Sequence, residues 1–279
     1  MVTRWMLVLT IGVSLILVAC GVSETAAPPT AAAPAPSAAQ ATPEAPAETA
    51  PETGAAPAEP QRIEFESEDG TALVGTYYPP GEPPAPAVVL MHQMRASKDD
   101  WLPLIDALQA AGDYAIFAFD FPGHGESGGE ISDEAALAAA RAAVKRVPTL
   151  DGADSDRLVL IGASIGADAA VDVCTEGCVG VVSVSPGGWL GIPYVDALAA
   201  LDGVDVFCLA AEGDSPAPET CTAGSDASIG LSGLHTFSMQ IYEGRAHGNA
   251  LVADADAAPG QPPLEAIPQW LAARLEELP

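Results

Sequence analysis

Residues 157–166 of this 279-residue chain read RLVLIGASIG. The apolar run RLVLI is typical of a strand that is buried on both faces of a sheet. The next five residues have the spacing G-x-S-x-G. Between a strand and a helix, this spacing predicts a sharp turn that lifts a serine hydroxyl above the end of the sheet. Ser164 is therefore a candidate nucleophile, and the alternative is a small-residue turn in which Ser164 only caps the following helix.

Strand-like and helix-like segments alternate around this stretch, without an internal repeat. The alternation predicts an α/β fold with a mostly parallel central sheet and helices on both faces. The predicted strands are Arg62–Glu66, Leu73–Tyr78, Ala87–Met91, Tyr114–Phe119, Arg157–Ile161, Val179–Val184, Val204–Ala210 and Phe237–Tyr242. The predicted helices are Trp101–Ala111, an alanine-rich segment after Asp133, Gly166–Val173, Pro193–Leu201 and Pro263–Leu278.

The first 60 residues differ in composition from the rest. Residues 1–19 carry one charge, Arg4, before an apolar run of about 15 residues, which is typical of a secretory signal and short for a membrane span. The run ends in LVAC, which resembles the lipidation signal of bacterial lipoproteins. The resemblance implies cleavage before Cys20, a lipid on that cysteine and an extracytoplasmic location at the cell membrane. An ordinary signal peptide with a chance cysteine, or an uncleaved anchor, is the alternative.

Residues 20–60 are predicted to be a disordered tether. Nine of the 40 residues after Cys20 are proline and fifteen are alanine, so this segment cannot bury a core. The remaining residues, 61–279, form the predicted folded domain.

The chain is strongly acidic, with 38 Asp and Glu against 10 Lys and Arg and a net charge of −28. This balance argues against a nucleic-acid partner, because binding to phosphates needs clustered cations. Most of the surplus falls in residues 61–279, which hold 33 acidic and nine basic residues. We therefore expect neutral or cationic substrates rather than anionic ones.

A serine nucleophile needs a base, and a histidine base needs an acid that orients it. His247 follows the last predicted strand, and Asp214 follows the strand Val204–Ala210. The chain order serine, aspartate, histidine and the position of each residue after a strand end predict a triad at one edge of the sheet. Glu212 and Asp226 are the alternative acids. A turn-forming aspartate and a surface-loop histidine are the non-catalytic interpretations.

Four stretches together resemble the α/β-hydrolase superfamily, in particular its dienelactone-hydrolase-like and small-esterase branch. They are LMHQM with KDDW (90–94 and 98–101), FDFPGHGESG (119–128), the turn at Ser164, and GRAHG (244–248). The resemblance covers residues 70–279 and implies the α/β-hydrolase fold, with no cofactor or metal. In that family a His-Gly-X turn and the residue after the nucleophile form an oxyanion hole. The donors here would be the backbone N–H groups of Met94 and Ile165.

The sequence departs from the family pattern at Gln93, where the family usually has glycine. We expect Gln93 to narrow the substrate pocket or to offer its amide there, and Trp189 to form a wall of the same pocket. His92 and His124 are expected to hold loops rather than to act as bases. His235 has no evident role.

Only residues 185–192 separate the strand that ends near Val184 from the next predicted helix. Many family members insert a lid at this point, and eight residues leave no room for a helical one. An open site suits small esters, lactones or the end of a polymer.

Four cysteines follow Cys20 in the chain. In an exported protein they predict two disulfides, with three possible connectivities. The local connectivity joins Cys174 to Cys178 and Cys208 to Cys221. A zinc site is disfavoured, because no second cysteine or histidine pair completes a ligand set nearby.

Two classes of function remain open. One is a monomeric serine hydrolase of carboxylic esters, lactones or related acyl bonds, with peptidase and thioesterase as variants. The other is a non-catalytic envelope lipoprotein that binds a ligand or partner on a hydrolase scaffold. Haloalkane dehalogenase chemistry is disfavoured, because it uses an aspartate where Ser164 stands.

Overall fold

The computed structural model describes residues 59–253 and 260–276. The predicted signal, the lipidated Cys20 and all but the last two residues of the tether lie outside the described residues. Their roles therefore stay predictions.

Eight strands form one sheet in the order β1-β2-β4-β3-β5-β6-β7-β8. The pairs β1–β2 and β2–β4 are antiparallel, and the other five neighbouring pairs are parallel. The predicted, mostly parallel sheet is thus confirmed, and every predicted strand is present. The strands are β1 (Gln61–Glu66), β2 (Ala72–Tyr78), β3 (Ala85–Met91), β4 (Ala115–Phe119), β5 (Ala153–Ala163), β6 (Cys178–Val184), β7 (Val204–Ala211) and β8 (Leu234–Tyr242).

Helices cover both faces of the sheet, because the central strands are apolar on both faces; β4 and β7 are buried at every residue. One face carries α1 (Leu102–Ala111), α6 (Asn249–Ala253) and α7 (Pro263–Glu276). The other face carries the remaining four helices, which pack in sequence against one another. They are α2 (Asp133–Arg146), α3 (Ile165–Asp172), α4 (Tyr194–Leu198) and α5 (Ala217–Ser228).

Two helices, α5 and α6, are absent from the sequence-based prediction. The segment of α5 reads APETCTAGSDAS, and its buried residues are the small Ala217, Cys221 and Gly224. Small residues give little hydrophobic periodicity, so the helix has no clear amphipathic signal. With five residues, α6 is too short for the periodicity to be recognised.

Two disulfides link neighbouring segments of the fold. Cys174 is bonded to Cys178, and Cys208 in β7 is bonded to Cys221 in α5. This is the local one of the three connectivities that the sequence allows. None of the helices within residues 59–253 and 260–276 is long and apolar enough to cross a membrane.

Candidate active site

Ser164 occupies a strained turn between β5 and α3. Its φ is 54° and its ψ is −116°, a backbone conformation that residues other than glycine rarely adopt. The turn is fixed because the Ser164 N–H donates to the Val184 carbonyl oxygen (2.8 Å) and the Ser164 carbonyl accepts from Ala167 (2.9 Å). The Ser164 side chain makes no capping hydrogen bond to α3, so the structure does not use this residue as a helix cap.

The two glycines of the motif permit this turn by close backbone approach. A Cβ atom at Gly162 would overlap with the Gly166 carbonyl, and a Cβ atom at Gly166 would overlap with the Met91 carbonyl at the end of β3. Neither glycine has a positive φ, so the requirement is one of space rather than of backbone conformation. The G-x-S-x-G spacing therefore packs the start of α3 directly against the sheet.

His247 and Asp214 form a hydrogen-bonded pair. His247 Nδ1 lies 2.8 Å from Asp214 Oδ1. The Asp214 side chain is 10% exposed and that of His247 is 37% exposed, so the acid is shielded and the imidazole faces the open side of the site. With its proton on Nδ1, directed at the carboxylate, the neutral ring leaves Nε2 free to accept a proton.

The loop that carries His247 lies against the turn that carries Ser164. Gly248 is so close to the end of β5 that a Cβ atom there would be 3.5 Å from the Ala163 Cβ. The serine turn and the histidine loop therefore meet at adjacent residues. No hydrogen bond within the described residues joins the Ser164 hydroxyl to the His247 ring, and such bonds often tighten only when substrate is present.

The two backbone N–H groups predicted to form the oxyanion hole have no hydrogen-bond acceptor among the described residues. The amides of Met94 and Ile165 donate to no other backbone group of the described residues. The amides on either side of Met94 are both occupied: Gln93 donates to Asn249 Oδ1 (3.3 Å) and Arg95 donates to His124 Nε2 (3.0 Å). Free amides at these two positions have the character that an oxyanion hole requires.

His92 and His124 hold the loop after β3. His92 is fully buried; its Nε2 accepts from the Phe121 N–H (2.9 Å), and its Nδ1 is 2.7 Å from the Gln93 carbonyl oxygen. His124 accepts from Arg95 and lies 3.0 Å from the Pro122 carbonyl oxygen. Burial lowers the pKa of His92 to about 4, so its ring is neutral at physiological pH. Both rings are thus occupied in the loop-holding role predicted for them.

A buried ion pair, which was not predicted from the sequence, also holds this loop. The backbone N–H of Lys98 donates to Asp120 Oδ1 (2.7 Å), and Lys98 Nζ lies 3.1 Å from Asp120 Oδ2. Asp120 is fully buried, and a second carboxylate, that of Glu126, lies 2.9 Å from Lys98 Nζ and also pairs with Arg62 (2.8 Å). The KDDW and FDFPGHGESG stretches thus join two loops next to the candidate oxyanion hole.

Asp168, one turn along α3 from Ser164, is a second residue that sequence reasoning missed. Its carboxylate accepts hydrogen bonds from the backbone N–H groups of Gly187 (3.3 Å) and Trp189, in the loop after β6. Burial raises the pKa of Asp168 to about 6, against the opposing effect of these backbone donors. No local sequence signal marks Asp168, because its backbone partners lie 19 and 21 residues further along the chain.

Trp189, which this loop carries, stands beside the imidazole. Its indole lies edge-on to the His247 ring, with the ring centroids 6.3 Å apart, and remains 40% exposed. Only nine residues, 185–193, join β6 to α4. This short connection leaves the site without a helical lid, as predicted.

The remaining candidates have other partners or face solvent. Glu212 and Asp226, the alternative acids, are exposed and line an open groove of about 560 Å³ beside α5, so Asp214 is the acid that reaches His247. His235 pairs with the buried Asp205 (3.1 Å) at the start of β8. The side chain of Gln93 accepts a hydrogen bond from the backbone N–H of Asn249 (2.8 Å), and its place in a substrate pocket stays a prediction.

Comparison with known proteins agrees with this architecture. A family model described as the alpha/beta hydrolase fold matches residues 86–170, which run from β3 to α3. An uncharacterized protein of Salmonella typhi, YfhR, is 33% identical over 132 residues. The match covers 45% of this chain and 44% of that protein, so the chain aligns with less than half the length of this curated relative.

Solved structures extend the likeness to most of the chain. An esterase from Pyrococcus furiosus superposes with a TM-score of 0.62 at 18% identity, covering 78% of this chain and 92% of the esterase. A dienelactone hydrolase from Anabaena variabilis superposes with a TM-score of 0.57 at 16% identity, covering 79% of this chain and 97% of the hydrolase. The chain therefore has the α/β-hydrolase fold, and the family-model match with these neighbours supports a hydrolase.

Proposed function

We propose that the protein is a serine hydrolase of carboxylic esters or related acyl bonds. The observation that carries the proposal is the combination of a strained Ser164 turn with the hydrogen-bonded pair His247–Asp214 at the same edge of the sheet. Strain at a residue other than glycine is costly and persists where a function requires it. The fold supports a hydrolase, and these three side chains supply the chemistry.

In the proposed reaction, the Ser164 hydroxyl oxygen attacks the substrate carbonyl while His247 Nε2 accepts the hydroxyl proton. Asp214 holds the imidazole in the required tautomer and stabilises the imidazolium. The amides of Met94 and Ile165 bind the negative oxygen of the tetrahedral intermediate, a contribution of about 3 kcal/mol for each donor. The imidazolium then protonates the leaving alcohol, and a water molecule, deprotonated by His247, releases the acyl group from Ser164.

Small, accessible substrates fit the site best. The loop of nine residues between β6 and α4 contains no helix that could shield a long acyl chain, so such chains would stay in contact with water. The exposed Met94 and Trp189 offer apolar contact next to the reacting groups. The acidic domain favours neutral or cationic esters and lactones over anionic ones.

A substrate panel on the purified full chain tests this proposal. We expect turnover of p-nitrophenyl acetate and butyrate, with lactone, thioester and peptide substrates in parallel to establish the acyl class. Ser164→Ala should abolish turnover without unfolding the protein, because the residue makes no side-chain cap. An intact protein that hydrolyses nothing in the panel would instead support the non-catalytic binder.

The location of the enzyme is part of the same proposal. We infer that Cys20 is lipidated after cleavage of residues 1–19 and that residues 21–60 tether the domain to the outer face of a membrane. Metabolic labelling with a radioactive fatty acid in a bacterial host should mark the wild-type chain and miss Cys20→Ala. Equal labelling of both chains would contradict lipidation at this position.

A further inference from the structure

The side chain of Gln93 joins two loops that carry the proposed catalytic groups. Its Oε1 accepts a hydrogen bond from the backbone N–H of Asn249 (2.8 Å), and the backbone N–H of Gln93 donates to Asn249 Oδ1 (3.3 Å). Gln93 belongs to the loop after β3, and Asn249 begins α6 after β8. The two bonds run in opposite directions between one pair of residues, so each loop fixes the other in two places.

The contact extends to the residue next to His247. Gly248 has a φ of 56°, and a Cβ atom there would overlap with Gln93 Oε1, so only glycine permits this approach. The Gly248 N–H donates to Ser185 Oγ (2.9 Å), and Ser185 is fully buried after β6. The backbone that follows the imidazole is therefore held between Gln93 on one side and Ser185 on the other.

Both residues of the pair adjoin a group with a proposed role in the reaction. Met94, whose amide is free, directly follows Gln93, and His247 is two residues before Asn249. A shift of either loop would move the oxyanion donor relative to the base. Asn249 is 6% exposed and Gln93 is half-buried, so water has little access to the Asn249 end of these hydrogen bonds, where it would otherwise compete.

We propose that Gln93 is a positioning residue, whose carboxamide holds the Met94 amide and the His247 loop in one geometry across Ser164. This inference rests on the proposed serine-hydrolase function. Gln93 contacts no substrate in the proposed reaction, and its role is to position the groups that do. Gln93 acts through the backbone of Asn249 and the close contact with Gly248. Its effect therefore falls on the rate of the chemical step rather than on substrate binding.

The test compares Gln93→Met and Gln93→Glu with the wild type as full chains. Methionine keeps the length of the side chain and removes the acceptor, so we expect kcat for p-nitrophenyl butyrate to fall roughly 10- to 100-fold with KM within about twofold. Glutamate keeps the acceptor and should recover most of kcat.

Two controls keep the result specific. Gln269→Met, at an exposed position on α7, should leave kcat unchanged. If Gln93→Met fails to fold, as judged by circular dichroism, Gln93→Gly removes the same acceptor without placing any new side-chain atom at this position and should show the same loss of kcat.

The outcomes separate this inference from the function on which it rests. An active wild type with an unchanged kcat in Gln93→Met and Gln93→Gly would overturn the positioning role alone. A raised KM with an unchanged kcat would likewise overturn it, since Gln93 would then be a substrate contact. A folded wild type that neither hydrolyses esters nor reacts with a fluorophosphonate would overturn both.

Discussion

His247 Nδ1 lies 2.8 Å from Asp214 Oδ1, although 33 residues separate them in the chain. Each follows a different strand, β8 and β7, and the parallel pairing of these strands brings their carboxyl ends together. The other oxygen of the carboxylate, Asp214 Oδ2, is buried without a hydrogen-bond partner among the described residues. The Asp214 carboxylate therefore hydrogen-bonds to the imidazole through one oxygen only. A substitution that alters this oxygen tests the role of the pair directly.

Asp214→Asn should lower kcat about 10⁴-fold, because an amide can donate to Nδ1 and so favour the wrong imidazole tautomer. Steady-state kinetics with p-nitrophenyl butyrate measure the effect. The matched control is Glu212→Gln, two residues earlier and exposed, which should keep kcat within about twofold of the wild type. The assignment of the acid would be wrong if the control lost activity and Asp214→Asn did not.

Gly166→Ala should destabilise the fold by about 3 kcal/mol or more, because the new Cβ atom would overlap with the Met91 carbonyl at the end of a central strand. Urea denaturation followed by circular dichroism measures the free energy of unfolding. Gly230→Ala is the control, since the nearest atom to a Cβ there is 3.7 Å away. Equal stabilities of the two variants would show that the turn tolerates a side chain at position 166.

Asp168 should make the protein less stable as the pH rises from about 4 to about 6. Burial raises the pKa of Asp168 to about 6 in the folded state, whereas the ordinary pKa of an aspartate is 3.8. Between these values the folded state binds more protons than the unfolded chain, so the free energy of unfolding falls with pH. A shift of this size corresponds to about 3 kcal/mol at most, and the fall should end above pH 6.

Asp168→Asn removes that titration and isolates its contribution. The difference in free energy of unfolding, wild type minus variant, should decrease between pH 4 and pH 6 and be constant above. The asparagine NH₂ group cannot accept from a backbone N–H, so the variant should also loosen the loop with Gly187 and Trp189. A difference that is independent of pH would contradict the raised pKa.

The titration of His92 should change the free energy of unfolding with pH in the direction opposite to that of Asp168. Burial lowers the pKa of His92 to about 4 in the folded state, below the ordinary histidine pKa of 6.5. In this window the unfolded chain binds the extra proton, so the stability that His92 contributes is complete above pH 6.5 and is lost as the pH falls towards 4. ¹⁵N NMR of the labelled ring should show a neutral imidazole, protonated at Nδ1, at pH 5.5. A titration midpoint near 6.5 would contradict this expectation.

Most of the fold and the outline of the site can be predicted from the sequence. Continuous apolar strands such as RLVLI and AVVLM predict a parallel sheet, because only strands covered on both faces are apolar throughout. Chain order and strand ends are enough to propose Ser164, Asp214 and His247 as a triad. The glycine spacing around Ser164 has a direct steric cause, which the overlaps at Gly162 and Gly166 make visible.

The unpredicted parts depend on contacts between distant segments. Gln93 and Asn249 are 156 residues apart, and nothing local to either residue indicates that they are paired. Asp168 resembles any helix aspartate until the fold places the amides of Gly187 and Trp189 above it. The helix α5 is built on small buried residues, which have no strong period in the sequence.

Covalent labelling of Ser164 tests the central claim most directly. The full chain is incubated with a fluorophosphonate, digested and mapped by mass spectrometry, with Ser164→Ala and Asp214→Asn treated in parallel. The proposed mechanism predicts one label on the wild type at Ser164, none on Ser164→Ala and slow labelling of Asp214→Asn. A folded wild-type protein that takes no label at Ser164 would contradict the serine-hydrolase function.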